Sequence, residues 1–537
     1  MKLSFFGADQ CVTGSCHCLE ANGKKILIDC GLQQGRDEVD NGSLPFHAGE
    51  IDYVLVTHAH IDHSGRIPML IKQGFQGRIL TTRLTAQLMD IMLQDSAHIQ
   101  ESDAEYQNRK NLRAGRPVVE PLYTVEDALR VKEFLTTCEY GEKVDLCEGV
   151  SVECIDAGHL LGSASMKLTV TEGGEMRTIV FSGDIGNVDQ PIIRDPQFFH
   201  QADFVVMEST YGNRNHTEVW SYTDELAQII DETLGKGGNV VIPSFAVGRT
   251  QELLYFIRHI KEKGLVHGHE GFQVYVDSPL AINATRVFLK NFRDFDEESL
   301  KVFGKEGKVP NFAQVHLCET AAESRALNSS EGSAIIISAS GMADAGRVLH
   351  HLKHNLWRPE STILFVGYQA EGCLGRRLID GITRVRVLGE EIAVKAQIKS
   401  LDGFSAHADA NQIMSWLGEI RDPKPAKIFI VHGESTGQEA LKSRIQKELG
   451  IECYIPFRGD LAKISGRASE IIPSNIPAVS VEKEMEDVLR DFDSDYRQLR
   501  RRVMQYVVRQ PKMMEPVIKV MSKARNYIRK LFTPFNI

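Results

Sequence analysis

No apolar run in this sequence approaches the length of a membrane span. The start, MKLSFFGADQ, lacks the basic end, apolar core and cleavage site of a secretory signal. These two absences disfavour a membrane-spanning or exported protein. Cysteine is sparse and scattered, ten residues in all, which excludes a disulfide framework and fits a reducing, cytoplasmic location. Cys16-His17-Cys18 resembles a metal-binding cluster, but no matching second pair lies near it, so buried thiols are expected there. Internal repeats and low-complexity tracts are absent, which excludes a repeat array. Excess positive charge is absent too: 62 Lys and Arg against 72 Asp and Glu give a net charge of −10. A chain so charged is a poor wholesale binder of nucleic acid.

The 537 residues exceed one ordinary core, so two or three domains are expected. Short β-rich runs bounded by Gly, Asn and Asp predict strands at Leu3–Phe6, Lys25–Asp29, Tyr53–Thr57 and Arg78–Leu80. Others follow at Val152–Asp156, Ala164–Thr171, Thr178–Ser182 and Phe204–Glu208. Thr85–Ser96 and Val125–Thr136 have helical spacing. Beyond Tyr211 helices and strands alternate: Tyr222–Leu234, Asn239–Pro243, Arg249–Lys263, Gln273–Asp277, then the strands Ala334–Ser338 and Thr362–Val366. Alternation of this kind predicts a parallel sheet and a second domain. After Gly389 the strand-rich texture returns through Ala393–Leu401 and Lys427–His432. The pattern is that of one domain inserted into another. The expected boundaries are 1–209 and 391–470 for the host, 210–390 for the insert and 471–537 for a helical extension. In that extension Val481–Val508 and Glu515–Leu531 read as helices, and Lys and Arg far outnumber acids from Arg497 onward. Three uses fit a basic amphipathic tail: RNA backbone, an anionic membrane surface, or docking on the acidic body within the chain or across a homodimer. Docking is the preferred expectation.

One stretch, VTHAHIDHSG (Val56–Gly65), concentrates ligand-type groups. It follows the apolar strand IDYVLVT, so His58 to His63 lie where a buried strand emerges. His58 and His60, two apart, project to one side of an extended segment and can reach one metal. Asp62 and His63 follow in a tighter turn and can reach a neighbouring one. Three further strand ends carry ligand-type residues beside glycine: His159 in DAGH, Asp184 in SGD, and His432 before Gly433. Taken together they suffice for two divalent ions.

HAHIDH, with Asp29, His159 and Asp184 in order, resembles the metallo-β-lactamase superfamily. Glu208 in MESTYG, His407 in GFSAHAD and His432 in VHGE are similar to the three motifs of the β-CASP nucleases. SASGM (Ser338–Met342), GRVLHHLKHNL (Gly346–Leu356) and GYQAEGCLGR (Gly367–Arg376) resemble the branch that contains the eukaryotic pre-mRNA 3′-end endonuclease and its prokaryotic relatives. The likeness covers roughly residues 1 to 465. It implies an α/β architecture: an αββα sandwich interrupted by a β-CASP parallel-sheet domain, with the helical tail outside it.

The resemblance also implies roles. His58, His60 and His159 would hold one zinc. Asp62, His63 and His432 would hold the second, with Asp184 bridging; manganese also suits these ligand types. Asp29 would orient a ligating histidine. Asp62 and Asp184 count among the catalytic residues, His407 would donate a proton to the leaving oxygen, and Glu208 would orient His407. Ser338, Ser340, Arg347 and Arg376 are the expected RNA contacts. The implied activity is a zinc-dependent ribonuclease of RNA processing or decay, endonuclease or 5′-3′ exonuclease. Three alternatives stand beside it. A thioesterase or glyoxalase-type hydrolase needs neither the long insert nor His407. A DNA-directed β-CASP nuclease would carry Val in the position of His432. A non-catalytic scaffold would have lost metal ligands, and all seven are here.

Overall fold

The computed structural model describes residues 1–34, 41–216, 221–304, 315–329, 332–367, 369, 372–401 and 405–474, with the helix Met514–Phe532 and scattered residues between 496 and 512. The chain forms two compact units, Met1–Ile476 and Pro477–Ile537.

Two mixed sheets make the centre of the first unit. The first runs, in spatial order, Ala468–Ile472, Leu461–Ser465, Lys2–Gly7, Cys16–Ala21, Lys24–Ile28, Tyr53–Leu55, Arg78–Thr82 and Leu135–Cys138. The second runs Glu452–Tyr454, Lys427–Ile430, Phe204–Met207, Glu175–Phe181, Ala164–Glu172, Val150–Asp156 and Lys143–Cys147. Their inner faces meet through Phe5, Ile28 and Leu55 on one side and Met166, Phe181, Phe204 and Phe429 on the other. The outer face of the first sheet packs on the helices Ile67–Lys72 and Arg83–Ala114 through residues such as Leu70, Leu88 and Met89. The outer face of the second packs on Ala410–Gly418 and Ser435–Glu448 through Ile413, Trp416, Leu417, Leu441 and Ile445. Apolar residues on both faces of these strands require cover on both sides, and the layering helix–sheet–sheet–helix supplies it. This is the expected αββα sandwich.

A third sheet is wholly parallel: Val315–Leu317, Gln273–Val276, Ala334–Ser338, Val240–Pro243, Thr362–Phe365 and Gln397–Ser400. Strand alternation sends Val241, Ile336 and Ile363 to one face and Val240, Ile242, Ile335 and Ile337 to the other. The second of these faces shares its core with Leu88 and Leu160 of the sandwich. The chain then returns to the sandwich: Lys427–Ile430 pairs with Phe204–Met207, and Leu461–Ser465 with Lys2–Gly7.

Three expectations change. Ala393–Leu401, read as the first strand of the returning host, divides. Ala393 ends a small hairpin of Arg384–Val387 with Glu390–Ala393. Gln397–Ser400 adds to the parallel sheet beside Thr362–Phe365, so the sandwich resumes only beyond Ser400. A short apolar run does not encode which sheet it will join. Val125–Thr136 is helical only to Arg130, with a 3₁₀ turn to Glu133; Leu135 and Thr136 are instead claimed by parallel pairing with Ile79 and Leu80. The helix expected at Thr85–Ser96 extends over Arg83–Ala114, capped by Thr82 accepting from the Thr85 amide and ended by Gly115 at φ 64°. In the second unit the helix Met514–Phe532 matches the expected Glu515–Leu531. Most of the expected helix at Val481–Val508 lies outside the described residues. No helix among the described residues is long and apolar enough to cross a membrane.

Candidate metal and catalytic centre

Strand ends from both sandwich sheets converge on one edge. Asp29 follows Lys24–Ile28, and the His58–His63 stretch follows Tyr53–Leu55. His159, Asp184, Glu208 and His432 follow Val150–Asp156, Glu175–Phe181, Phe204–Met207 and Lys427–Ile430. The turn at Asp62-His63 is a single helical turn, Ile61–Ser64. Gly31 lets the chain pass against it: a Cβ there would sit 1.6 Å from the Asp62 carbonyl oxygen. Asp29 and His432 take φ values of 61° and 51°, costly for residues other than glycine. Hydrogen bonds hold both, from the Asp29 amide to the Leu55 carbonyl and from the His432 amide to the Ala8 carbonyl, each 2.8 Å.

Ligand-type atoms gather in two groups, His58, His60, His159 and Asp184, and Asp62, His63 and His432. In the first, His58 Nε2 and His159 Nε2 lie 3.0 and 3.2 Å from His60 Nδ1. In the second, His63 Nε2 lies 3.1 Å from His432 Nε2, which is 3.5 Å from Asp62 Oδ2. Asp184 stands between them. Its Oδ2 is 3.5 Å from His58 Nε2 and its Oδ1 is 3.3 Å from His63 Nε2. That Oδ1 is buried and accepts no hydrogen bond among the described residues. A buried carboxylate oxygen without a partner is costly, and a cation beside it removes the cost. Imidazole nitrogens turned toward one another have the same remedy. The residues therefore fit divalent metal.

The outer nitrogens of four of the histidines are tied down. His63 Nδ1 lies 2.7 Å from Asp29 Oδ2, and His58 Nδ1 lies 3.2 Å from the Thr57 hydroxyl. His159 Nδ1 is 3.2 Å from the Ala406 carbonyl, and His432 Nδ1 is 3.2 Å from the Thr210 hydroxyl. Such partners fix which nitrogen faces the metal. Asp29 was expected in this role; Thr57, Thr210 and the Ala406 carbonyl were not. Their only sequence signal is adjacency to His58, Glu208 and His407.

Burial pushes the His58 and His159 imidazoles well below their ordinary pKa, toward the neutral form that binds metal. Burial opposes ionisation of Asp184, yet the imidazoles of His432 and His63 outweigh it and hold the carboxyl well below its usual value.

His407 comes from the far side of the insert and meets Glu208, with Nδ1 3.1 Å from Oε1. The Ile185 amide donates to Oε1 at 2.7 Å and the Thr210 amide to Oε2 at 3.2 Å. The His407 carbonyl faces His216 Nε2 at 3.0 Å. Burial disfavours the imidazolium, but Glu208 and Asp184 outweigh it and push His407 up to about 9.

The expected RNA contacts fare differently. The Arg347 guanidinium donates to Asp277 Oδ1 at 2.7 Å, the Cys318 carbonyl at 2.9 Å and the Glu319 carbonyl at 3.0 Å. It is a structural tie within the insert. Ser338 is buried and donates to the Asp277 carbonyl at 2.7 Å. Ser340 Oγ accepts from the Asp344 and Ala345 amides in a turn. Arg376 is half-exposed and pairs with Asp380 one helical turn on. Cys16 and Cys18 are buried, as expected of packed thiols.

Comparison with known families agrees with this geometry in three blocks. Residues 10–214 match the metallo-β-lactamase superfamily, 250–378 the Beta-Casp domain, and 391–456 a Zn-dependent metallo-hydrolase RNA specificity domain. The chain is 38% identical to the protein named Ribonuclease TTHA0252 of Thermus thermophilus, over 81% of this chain and 93% of that one. It is 32% identical to the transcription termination factor FttA of Thermococcus kodakarensis, over 86% of this chain and 71% of that one. It is 30% identical to an RNase J-like protein of Methanocaldococcus jannaschii, over 86% of this chain and 99% of that one. Sequence, fold and centre thus lead to one assignment: the chain belongs to the β-CASP family of metal-dependent hydrolases within the metallo-β-lactamase superfamily.

Proposed function

We propose that the protein is a ribonuclease that hydrolyses RNA phosphodiester bonds at this centre, in the cytoplasm, during RNA processing or decay. The observation that carries the reading is the His407–Glu208 pair set against Asp184 of the metal cluster, with His407 Nε2 3.9 Å from Asp184 Oδ2. His58, His60 and His159 would hold one zinc ion, Asp62, His63 and His432 the other, and Asp184 would serve both. Bound there, two such ions would activate water near neutral pH and offset the charge that develops on phosphate. Asp29, Thr57, Thr210 and the Ala406 carbonyl keep the ligating nitrogens aimed inward. Glu208 holds the His407 ring through Nδ1, leaving Nε2 to face the centre and deliver a proton to the departing 3′ oxygen. The names of the relatives, ribonuclease and RNase J-like among them, support RNA as the substrate. The complete ligand set speaks against a non-catalytic scaffold. We also place the domain boundaries at 209, 390 and 470, with the last strand of the insert's sheet, Gln397–Ser400, reaching past the second. The exposed apolar side chains Met514, Ile518 and Val520 of the C-terminal helix are assigned to contact with a second copy of the chain.

The test is purified protein incubated with end-labelled RNA and the matched DNA, with and without chelator. RNA cleavage that stops with chelator is expected. Cleavage of DNA alone, or of neither, overturns the reading.

A further inference from the structure

Every residue from Val240 to Ile257 is buried except one: Phe245, which is 41% exposed. An isolated exposed apolar side chain needs no explanation by itself. This one is set in a frame. It follows the strand Val240–Pro243 at the carboxyl edge of the insert's parallel sheet, the edge where open α/β sheets take their ligands. Its carbonyl accepts from the Thr250 amide at 3.2 Å and the Thr250 hydroxyl at 2.8 Å, and the preceding Ser244 amide donates to the Ser338 carbonyl at 3.0 Å. The backbone of the turn is therefore fixed.

One edge of the ring rests on glycines. A Cβ on Gly341 would meet Phe245 Cδ2 at 2.8 Å and Cε2 at 2.9 Å, and one on Gly367 would meet Cε2 at 3.9 Å. Any side chain at 341 would displace the ring. The glycine of SASGM thus lets an aromatic ring lie against bare backbone, with 41% of the residue still exposed. The same turn touches the metal centre's own loop: a Cβ on Gly248 would lie 3.1 Å from Leu160 Cδ1, and Leu160 follows His159 directly. Phe245 accordingly lies three residues from the point where this turn packs against the residue after His159.

We propose that Phe245 is a stacking platform for one nucleobase of the RNA substrate and so positions the scissile phosphate. The inference rests on the ribonuclease reading above and deepens it. Unstacked bases of single-stranded RNA are held by aromatic faces, largely without regard to base identity. The need for such a hold is plain here, because Arg347 is committed to Asp277 and two carbonyls, and the chain carries a net charge of −10.

The test compares wild-type holoenzyme with Phe245→Ala, Phe245→Leu and Phe245→Tyr on a single-stranded oligoribonucleotide and on copies with one abasic site moved along it. A lost stack costs roughly 5- to 150-fold in affinity. Phe245→Ala and Phe245→Leu should raise KM by a factor in that range at every salt concentration, with kcat within a few-fold. Phe245→Tyr should stay near wild type. An abasic site at one position should erase the difference between wild type and Phe245→Ala, which a general packing role would not do. Wild-type cleavage of RNA with an unchanged KM in Phe245→Ala overturns the stacking role alone. So does a KM effect that Phe245→Leu repairs, or one that no abasic position erases. Failure of the wild type to cleave RNA overturns the ribonuclease reading, and this inference with it.

Discussion

The Nδ1 atom of His407 lies 3.1 Å from Oε1 of Glu208, across 199 residues of sequence. Glu208 follows a strand of the second sheet, whereas His407 arrives only after the whole insert has been traversed. Two backbone amides, from Ile185 and Thr210, hold the carboxylate in place, so the imidazole inherits a fixed orientation.

His407 is expected to act on the substrate rather than on the metal. His407→Ala should keep the wild-type metal content and slow RNA cleavage by roughly 10²- to 10⁴-fold. Metal analysis by mass spectrometry and single-turnover cleavage measure the two effects separately. Loss of a full metal equivalent would make His407 a ligand.

Asp184 reaches both ligand groups, one oxygen toward each. Asp184→Ala should lose bound metal and abolish cleavage, and dialysis of the wild type against chelator should do the same. An Asp184→Ala protein that cleaves at the wild-type rate would refute the paired-ligand arrangement.

Thr210 and Asp29 orient His432 and His63 without facing the centre themselves. Thr210→Val and Asp29→Asn should each weaken metal affinity by about 10- to 100-fold, the usual effect of removing such a partner. Competition with a chromogenic chelator reads this directly. Unchanged metal affinity in Thr210→Val would reduce the hydroxyl to a bystander.

Arg347 is expected to matter for stability, not for RNA. Burial disfavours the charged form of Asp277, but His351, Ser324 and Arg347 outweigh it and hold the carboxyl below its ordinary value. Its contribution is thus complete above the unfolded carboxyl's pKa of about 3.9 and is lost as pH falls through the lower folded value. Arg347→Ala should cost about 2 kcal/mol, less than a fully buried pair because the arginine is 22% exposed. Melting curves from pH 3 to 7 should show that the gap between variant and wild type closes at the acid end. A variant of wild-type stability with a flattened salt dependence of RNA binding would return Arg347 to the substrate.

Removal of Pro477–Ile537, which forms a compact unit of its own, should leave metal content unchanged and lower the number of chains per particle in solution. An unchanged number of chains with reduced RNA affinity would identify the tail as an RNA-binding arm.

The sequence by itself determined the seven ligand-type residues, because HAHIDH and three Gly-flanked strand ends are local patterns of chemistry. It also determined the insertion, because a shift from mixed strands to alternating helix and strand is a matter of local periodicity. Which sheet a strand joins is not local. Gln397–Ser400 went to the insert, and Leu135–Cys138 formed a strand at all, because a partner of matching register was present. Thr57 and Thr210 carried no mark of their role beyond closeness to His58 and Glu208, since a hydroxyl becomes an orienting partner only when folding sets a ring nitrogen 3.2 Å away. Arg347 shows the same limit: a guanidinium is a phosphate ligand or a structural tie according to what lies within reach. Here tertiary structure placed the buried Asp277 there first.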